Sequence, residues 1–64
     1  MPLKARLQLY LEQTGTTQSY IAKTTNMPFD TVNRFLKGHR PLPRRWVTVL
    51  DTFLVQRGYE GAYG

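Results

Sequence analysis

Residues 17–38, TQSYIAKTTNMPFDTVNRFLKG, decide how the chain folds. Two short helical segments can be read in them. Thr17 offers a hydroxyl to the free backbone N–H groups at the start of the first segment, Gln18 to Thr25. Ile21, Ala22 and Thr25 give this segment a short inner face. Asn26 ends it, because asparagine enters the left-handed backbone conformation more readily than other residues with a side chain. The second segment runs from about Pro28 to Lys37. Proline is tolerated in a first turn, where its missing N–H costs nothing, and Asp30 favours the positive pole of the helix dipole. Gly38 closes it. Only Asn26 and Met27 separate the two segments, so the spacing predicts a short helix, a tight turn and a second short helix rather than a long antiparallel pair.

The flanks extend this pattern. Leu3, Leu7, Tyr10 and Leu11 fall at helical spacing and predict a helix from about Leu3 to Gln13, with Gly15 as its stop. After Gly38 comes His39-Arg40-Pro41-Leu42-Pro43, where two prolines in five residues demand a loop. A fourth helix is expected from Pro43 or Arg44 to about Arg57, with Trp46, Val47, Val49, Leu50, Phe53 and Leu54 as a broad apolar face and Gly58 at its end. Trp46 could stack on bases, but its place on that stripe assigns it to the core. Residues 59–64 read as a flexible or dimer-contacting tail to a domain of residues 1–58. Tyr59 and Tyr63 are the candidates to join any surplus apolar surface of the fourth helix in a dimer interface.

Composition narrows the function. A chain of 64 residues makes one small domain. It has no cysteine, so disulfides and thiolate metal sites are excluded, and a reducing cytosol fits. Nine Lys and Arg against four Asp and Glu give a net charge of +5, which favours a polyanionic partner. The apolar stretch from Trp46 to Leu50 is too short to span a bilayer, and Lys4, Arg6 and Glu12 interrupt any signal-like segment. One histidine, scattered acids and no glycine-rich phosphate loop argue against an enzyme. They also predict no metal, no cofactor and no small-molecule substrate. With no linker and no second domain in view, the chain is expected to be a whole protein.

Thr17-Gln18-Ser19-Tyr20-Ile21-Ala22, then Asn26-Met27, then Val32, Phe35 and Gly38 resemble the lambda-repressor and Cro type of helix-turn-helix domain. In that family Gln opens the second helix, Ala follows four residues later, and the turn residue comes four after that. Apolar residues stand at the positions of Met27, Val32 and Phe35. The Pro43-Arg44 opening of the fourth helix also resembles some members. Asn26 replaces the usual glycine, and Pro28 replaces a residue with a capping hydroxyl, which removes one possible DNA contact. The resemblance covers about 55 residues with the flanking helices. It implies an all-α fold, a small four- to five-helix lambda-repressor-like bundle with the helix-turn-helix at 17–38.

On a wheel of roughly 100° per residue, the third helix turns Asn33, Lys37, Asp30 and Arg34 to one side and Val32 and Phe35 to the other. The polar side carries groups that match base edges in a major groove: Arg34 for guanine, Asn33 for adenine, Asp30 for cytosine N4. Phe29 and Thr31 can meet thymine methyls. The resemblance points to Phe29, Asp30 and Arg34 in the same role. Other readings stand beside these. Asp30 and Arg34, four residues apart, can pair with each other. Phe29 can pack on Leu36, and Thr31 can face solvent.

Phosphate contacts are expected from Lys37, His39, Arg40, Arg44 and Arg45, a basic block around the loop, and from Gln18 at the start of the second helix. Lys4, Arg6, Lys23 and Arg57 read as general surface charge.

The expectation is therefore a sequence-specific double-stranded DNA-binding regulator. It would be a repressor acting by occlusion of a palindromic operator, as a homodimer at least on DNA. The resemblance adds an origin in phage or mobile elements and a bacterial cytosol, nucleoid or phage-infected host as its location. The rival is a protein-interaction module, antitoxin- or adaptor-like, which needs an exposed apolar patch such as Leu36, Leu42, Tyr59 and Tyr63.

Overall fold

Each helix of the chain ends where its local chemistry changes. The computed structural model describes residues 2–59. Among them are four α-helices and no strand: α1 (Leu3–Thr14), α2 (Gln18–Thr25), α3 (Phe29–Lys37) and α4 (Arg44–Gln56). Thr17 is the N-cap of α2, and its hydroxyl accepts the Tyr20 N–H at 3.1 Å. Asn26 stops α2 with φ of 62°, and Gly38 stops α3 with φ of 78°; both are left-handed. The His39 N–H then donates to the Arg34 carbonyl at 3.0 Å, which satisfies one of the carbonyls left free at the end of α3.

Pro28 and Pro43 are caps rather than first-turn residues. Both have extended ψ, and their carbonyls accept the first intrahelical bonds of α3 and α4. Helix α3 therefore begins one residue later than its sequence predicts, because a residue with ψ of 136° stands outside the helix.

The core lies where all four helices meet. Leu7 of α1, Ile21 of α2, Val32 of α3 and Leu50 and Leu54 of α4 are fully buried. Each such side chain contributes about 1.5–3 kcal/mol relative to exposure. Tyr10, Ala22, Met27 and Phe53 complete the cluster, with the Tyr10 and Phe53 rings edge to face at 5.5 Å. Leu3, Leu11, Phe35, Leu36, Leu42, Trp46 and Tyr59 pack around it, half-buried. Val47, expected on the apolar face of α4, is instead exposed, and Val49 is only half-buried. The stripe of α4 that reaches the core, Leu50, Phe53 and Leu54, is narrower than its composition suggests.

Arg6 departs most from its expected place. It is a buried residue and not surface charge. Its Nη1 meets Asp51 at 2.5 Å, while Nε and Nη2 donate to the Tyr59 carbonyl at 2.9 and 2.8 Å. Leu3, Arg6, Leu7 and Tyr10 share one face of α1, so Arg6 must enter the interior and find partners there. Tyr59 is held as well, with its ring edge to face on Tyr10 and its hydroxyl donating to Gln13 at 2.7 Å. The first residue of the expected flexible or dimer-contacting tail is thus docked on the chain's own core. Residues 60–64, Tyr63 among them, lie outside the described residues. Among the described residues no helix is long and apolar enough to cross a membrane.

Candidate nucleic-acid interface

Helix α3 has nine residues, of which only Val32 is buried. Val32 faces the core, and Phe35 and Leu36 pack beside it. This fixes the rotation of α3 and turns Phe29, Asp30, Arg34 and Lys37 outward, all of them exposed. Phe29 keeps half of its surface exposed. Packing of Phe29 into the core, one of its two expected fates, is therefore not realised.

Asp30 and Arg34 form an ion pair along the helix, Nε to Oδ2 at 2.9 Å. Both side chains remain largely open to solvent, so the pair adds only about 0.3–0.5 kcal/mol to stability. The contact is made through Nε. Thr31 is half-buried. With Asp30, Arg34, Arg40, Pro41, Leu42 and Pro43 it lines a groove of about 430 Å³ between the outer face of α3 and the loop that follows.

Asn33 is placed differently from its expected role. It is half-buried, and its amide nitrogen donates to the Gln18 side-chain oxygen at 2.9 Å. The bond ties the start of α2 to the middle of α3. Reading an adenine through both ends of the Asn33 amide would require this bond to break.

The cations form a border. Lys37, Arg40, Arg44 and Arg45 are exposed, as is His39. Arg45 leans over the Trp46 ring, its Cζ 5.4 Å from the centroid. That contact holds the guanidinium close to the start of α4. The Lys4 ammonium comes within 3.2 Å of the point where a Cβ on Gly38 would sit. Lys4 therefore belongs to the basic end of α3 and is more than general surface charge; its distance in sequence hides this. Arg57 stands apart, with its guanidinium 3.8 Å over the Phe53 ring. Tyr20 is half-exposed on α2. Hydrogen bonding to Thr24, and then to Arg57, lowers the pKa of its phenol below the ordinary value of 10.0, and the charge of Arg57 acts in the same direction.

No cluster of three or more His, Asp or Glu side chains fit to hold a metal ion occurs among the described residues. The face can form hydrogen bonds, accept a polyanion and seat a small apolar group in the groove. Comparison with protein-family models, with curated proteins and with solved structures finds no match to the chain.

Proposed function

We propose that the chain is a sequence-specific double-stranded DNA-binding regulator in which α2, the Asn26–Pro28 turn and α3 act as a helix-turn-helix. The observation that carries this reading is the outer face of α3. Asp30 and Arg34 are exposed there opposite buried Val32, Phe29 is exposed at the edge of that face, and Lys37, Arg40, Arg44 and Arg45 border it. A helix with its side chains is about 10–12 Å across and fits a major groove about 12 Å wide. Arg34 then meets a guanine and Phe29 a thymine methyl, while Asp30 stands beside Arg34 on the same face. The cations beyond α3 meet phosphates on either side and set the register. Gln18, held by Asn33, adds a phosphate contact at the start of α2.

The resemblance of residues 17–38 to the lambda-repressor and Cro domains supports the same reading. It extends the proposal to a repressor of phage or mobile-element type, working in a bacterial or phage-infected cell by covering an operator. One such module buries little DNA surface. Two copies on half-sites about 34 Å apart combine their binding energies, so a homodimer on a palindrome is part of the proposal. The protein-interaction alternative needs Leu36, Leu42, Tyr59 and Tyr63 as a free apolar patch; the first three pack, partly buried, against the core, and Tyr63 lies outside the described residues.

Selection of bound duplexes from a random pool at about 0.15 M salt, a concentration at which non-specific phosphate binding is weakened, tests the proposal. Enrichment of a palindrome supports a dimeric regulator, and enrichment of a single short site supports a monomeric one. A pool that stays random while the protein binds overturns sequence reading.

A further inference from the structure

Asp30 is the only carboxylate between Gln13 and Leu50, a stretch that also holds Lys23, Arg34, Lys37, Arg40, Arg44 and Arg45. It sits among the most exposed side chains of α3 and forms one wall of the groove that also contains Arg34 and Arg40. On a surface that meets a polyanion, an exposed carboxylate opposes binding to every sequence alike. Its contribution to the helix is small, since exposed pairs of this kind add little. The ion pair itself does more. The Nε–Oδ2 contact at 2.9 Å biases Arg34 toward conformers that lie along α3 and away from those that swing toward a phosphate. Its terminal fork stays near the middle of α3, and a fork of that shape matches the two acceptors of a guanine edge.

We propose that Asp30 is a positioning residue for specificity: it holds Arg34 for a guanine and, by its charge, weakens binding wherever that guanine is missing. A wrong base leaves the Asp30 carboxylate facing the duplex with no gain from Arg34, so the charge lowers non-specific affinity while the biased Arg34 supplies the discrimination. The inference rests on the duplex-reading proposal and deepens it, naming the residue that sets the ratio of specific to non-specific binding.

The test uses the full chain, the duplex selected from the random pool, and a scrambled duplex of equal length. Arg34→Ala is expected to lower the ratio of the two affinities by roughly 5- to 150-fold, the worth of one bidentate base contact. Asp30→Ala and Asp30→Asn are expected to bind the scrambled duplex more tightly, by roughly threefold, while the ratio falls by roughly three- to tenfold, as expected when a nearby like charge is removed. In an Arg34→Ala background, Asp30→Ala is expected to leave the ratio unchanged. A helix-stabilising pair with no other role would move neither the ratio nor the base preferred at that position.

The inference is overturned if Asp30→Ala keeps the wild-type ratio. It is also overturned if the ratio falls equally without Arg34, since Asp30 would then contact a base itself. A wild-type chain that prefers no sequence overturns the duplex-reading proposal, and this inference with it. In the first two outcomes the duplex reading survives.

Discussion

Two arginine–aspartate pairs in this small chain use the same chemistry for different ends. Arg6 and Asp51 are 45 residues apart, and Arg6 is buried with Nη1, Nε and Nη2 all engaged. Arg34 and Asp30 are one helical turn apart and open to solvent. Enclosure decides the difference. Inside, an arginine without partners would forfeit its hydration, so its donors bind the α1, α4 and C-terminal ends of the fold together. Outside, water competes, the pair is worth little to the fold, and the terminal nitrogens of Arg34 remain available to a partner. The first pair closes the molecule, and the second equips its surface.

The contrast predicts opposite outcomes for like substitutions. The largest effect is expected for Arg6→Ala. It leaves the Tyr59 carbonyl without its donors and a void beside Leu7, at a cost of about 2–4 kcal/mol. For a domain of this size that approaches the whole stability, which is a few kcal/mol. Thermal unfolding followed by circular dichroism should find a transition displaced far downward or lost. An unchanged midpoint would break the account of the interior pair. Next is Arg34→Ala, expected to cost about 1–3 kcal/mol in binding to a selected duplex while the unfolding midpoint stays in place. Asp51→Asn should cost about 1 kcal/mol in urea unfolding, because an acceptor remains and the Tyr59 carbonyl still holds Arg6.

A milder pattern is expected for Arg40→Ala, Arg44→Ala and Arg45→Ala. Each should weaken binding to all duplexes alike and reduce the slope of log affinity against log salt by about 0.9. A base-specific loss at any of them would move it from the border to the reading face. Smallest of all, Asp30→Ala should shift stability by less than about 0.5 kcal/mol.

The same contrast explains what could be read from the sequence. All four helices were legible because their ends are local events. Thr17 caps Tyr20 three residues on, and Asn26 and Gly38 adopt positive φ where they stand. The outward face of α3 was legible too, since its rotation follows from Val32, Phe35 and helical periodicity. What escaped depends on contacts between distant residues. Arg6 finds Asp51 and Tyr59 across the fold, though its spacing with Leu3, Leu7 and Tyr10 already placed it on the inner face of α1. The Asn33–Gln18 bond joins two helices, and a wheel drawn for one cannot reveal it. Lys4 reaches the end of α3 only because α1 packs there. Val47 belongs by type and spacing to the apolar face of α4, yet the fold leaves it exposed.

In the proposed function the outer face of α3 and the basic border beyond it meet the duplex, while the Arg6 side serves the fold. Following backbone amide resonances of the full chain by NMR during titration with a duplex from the selected pool tests this directly. Perturbations are expected to concentrate on Gln18 and on residues 28–45, while the amides of Arg6, Asp51 and Tyr59 stay nearly fixed. Perturbations centred on the outer faces of α1 and α4, with α3 unmoved, would contradict it.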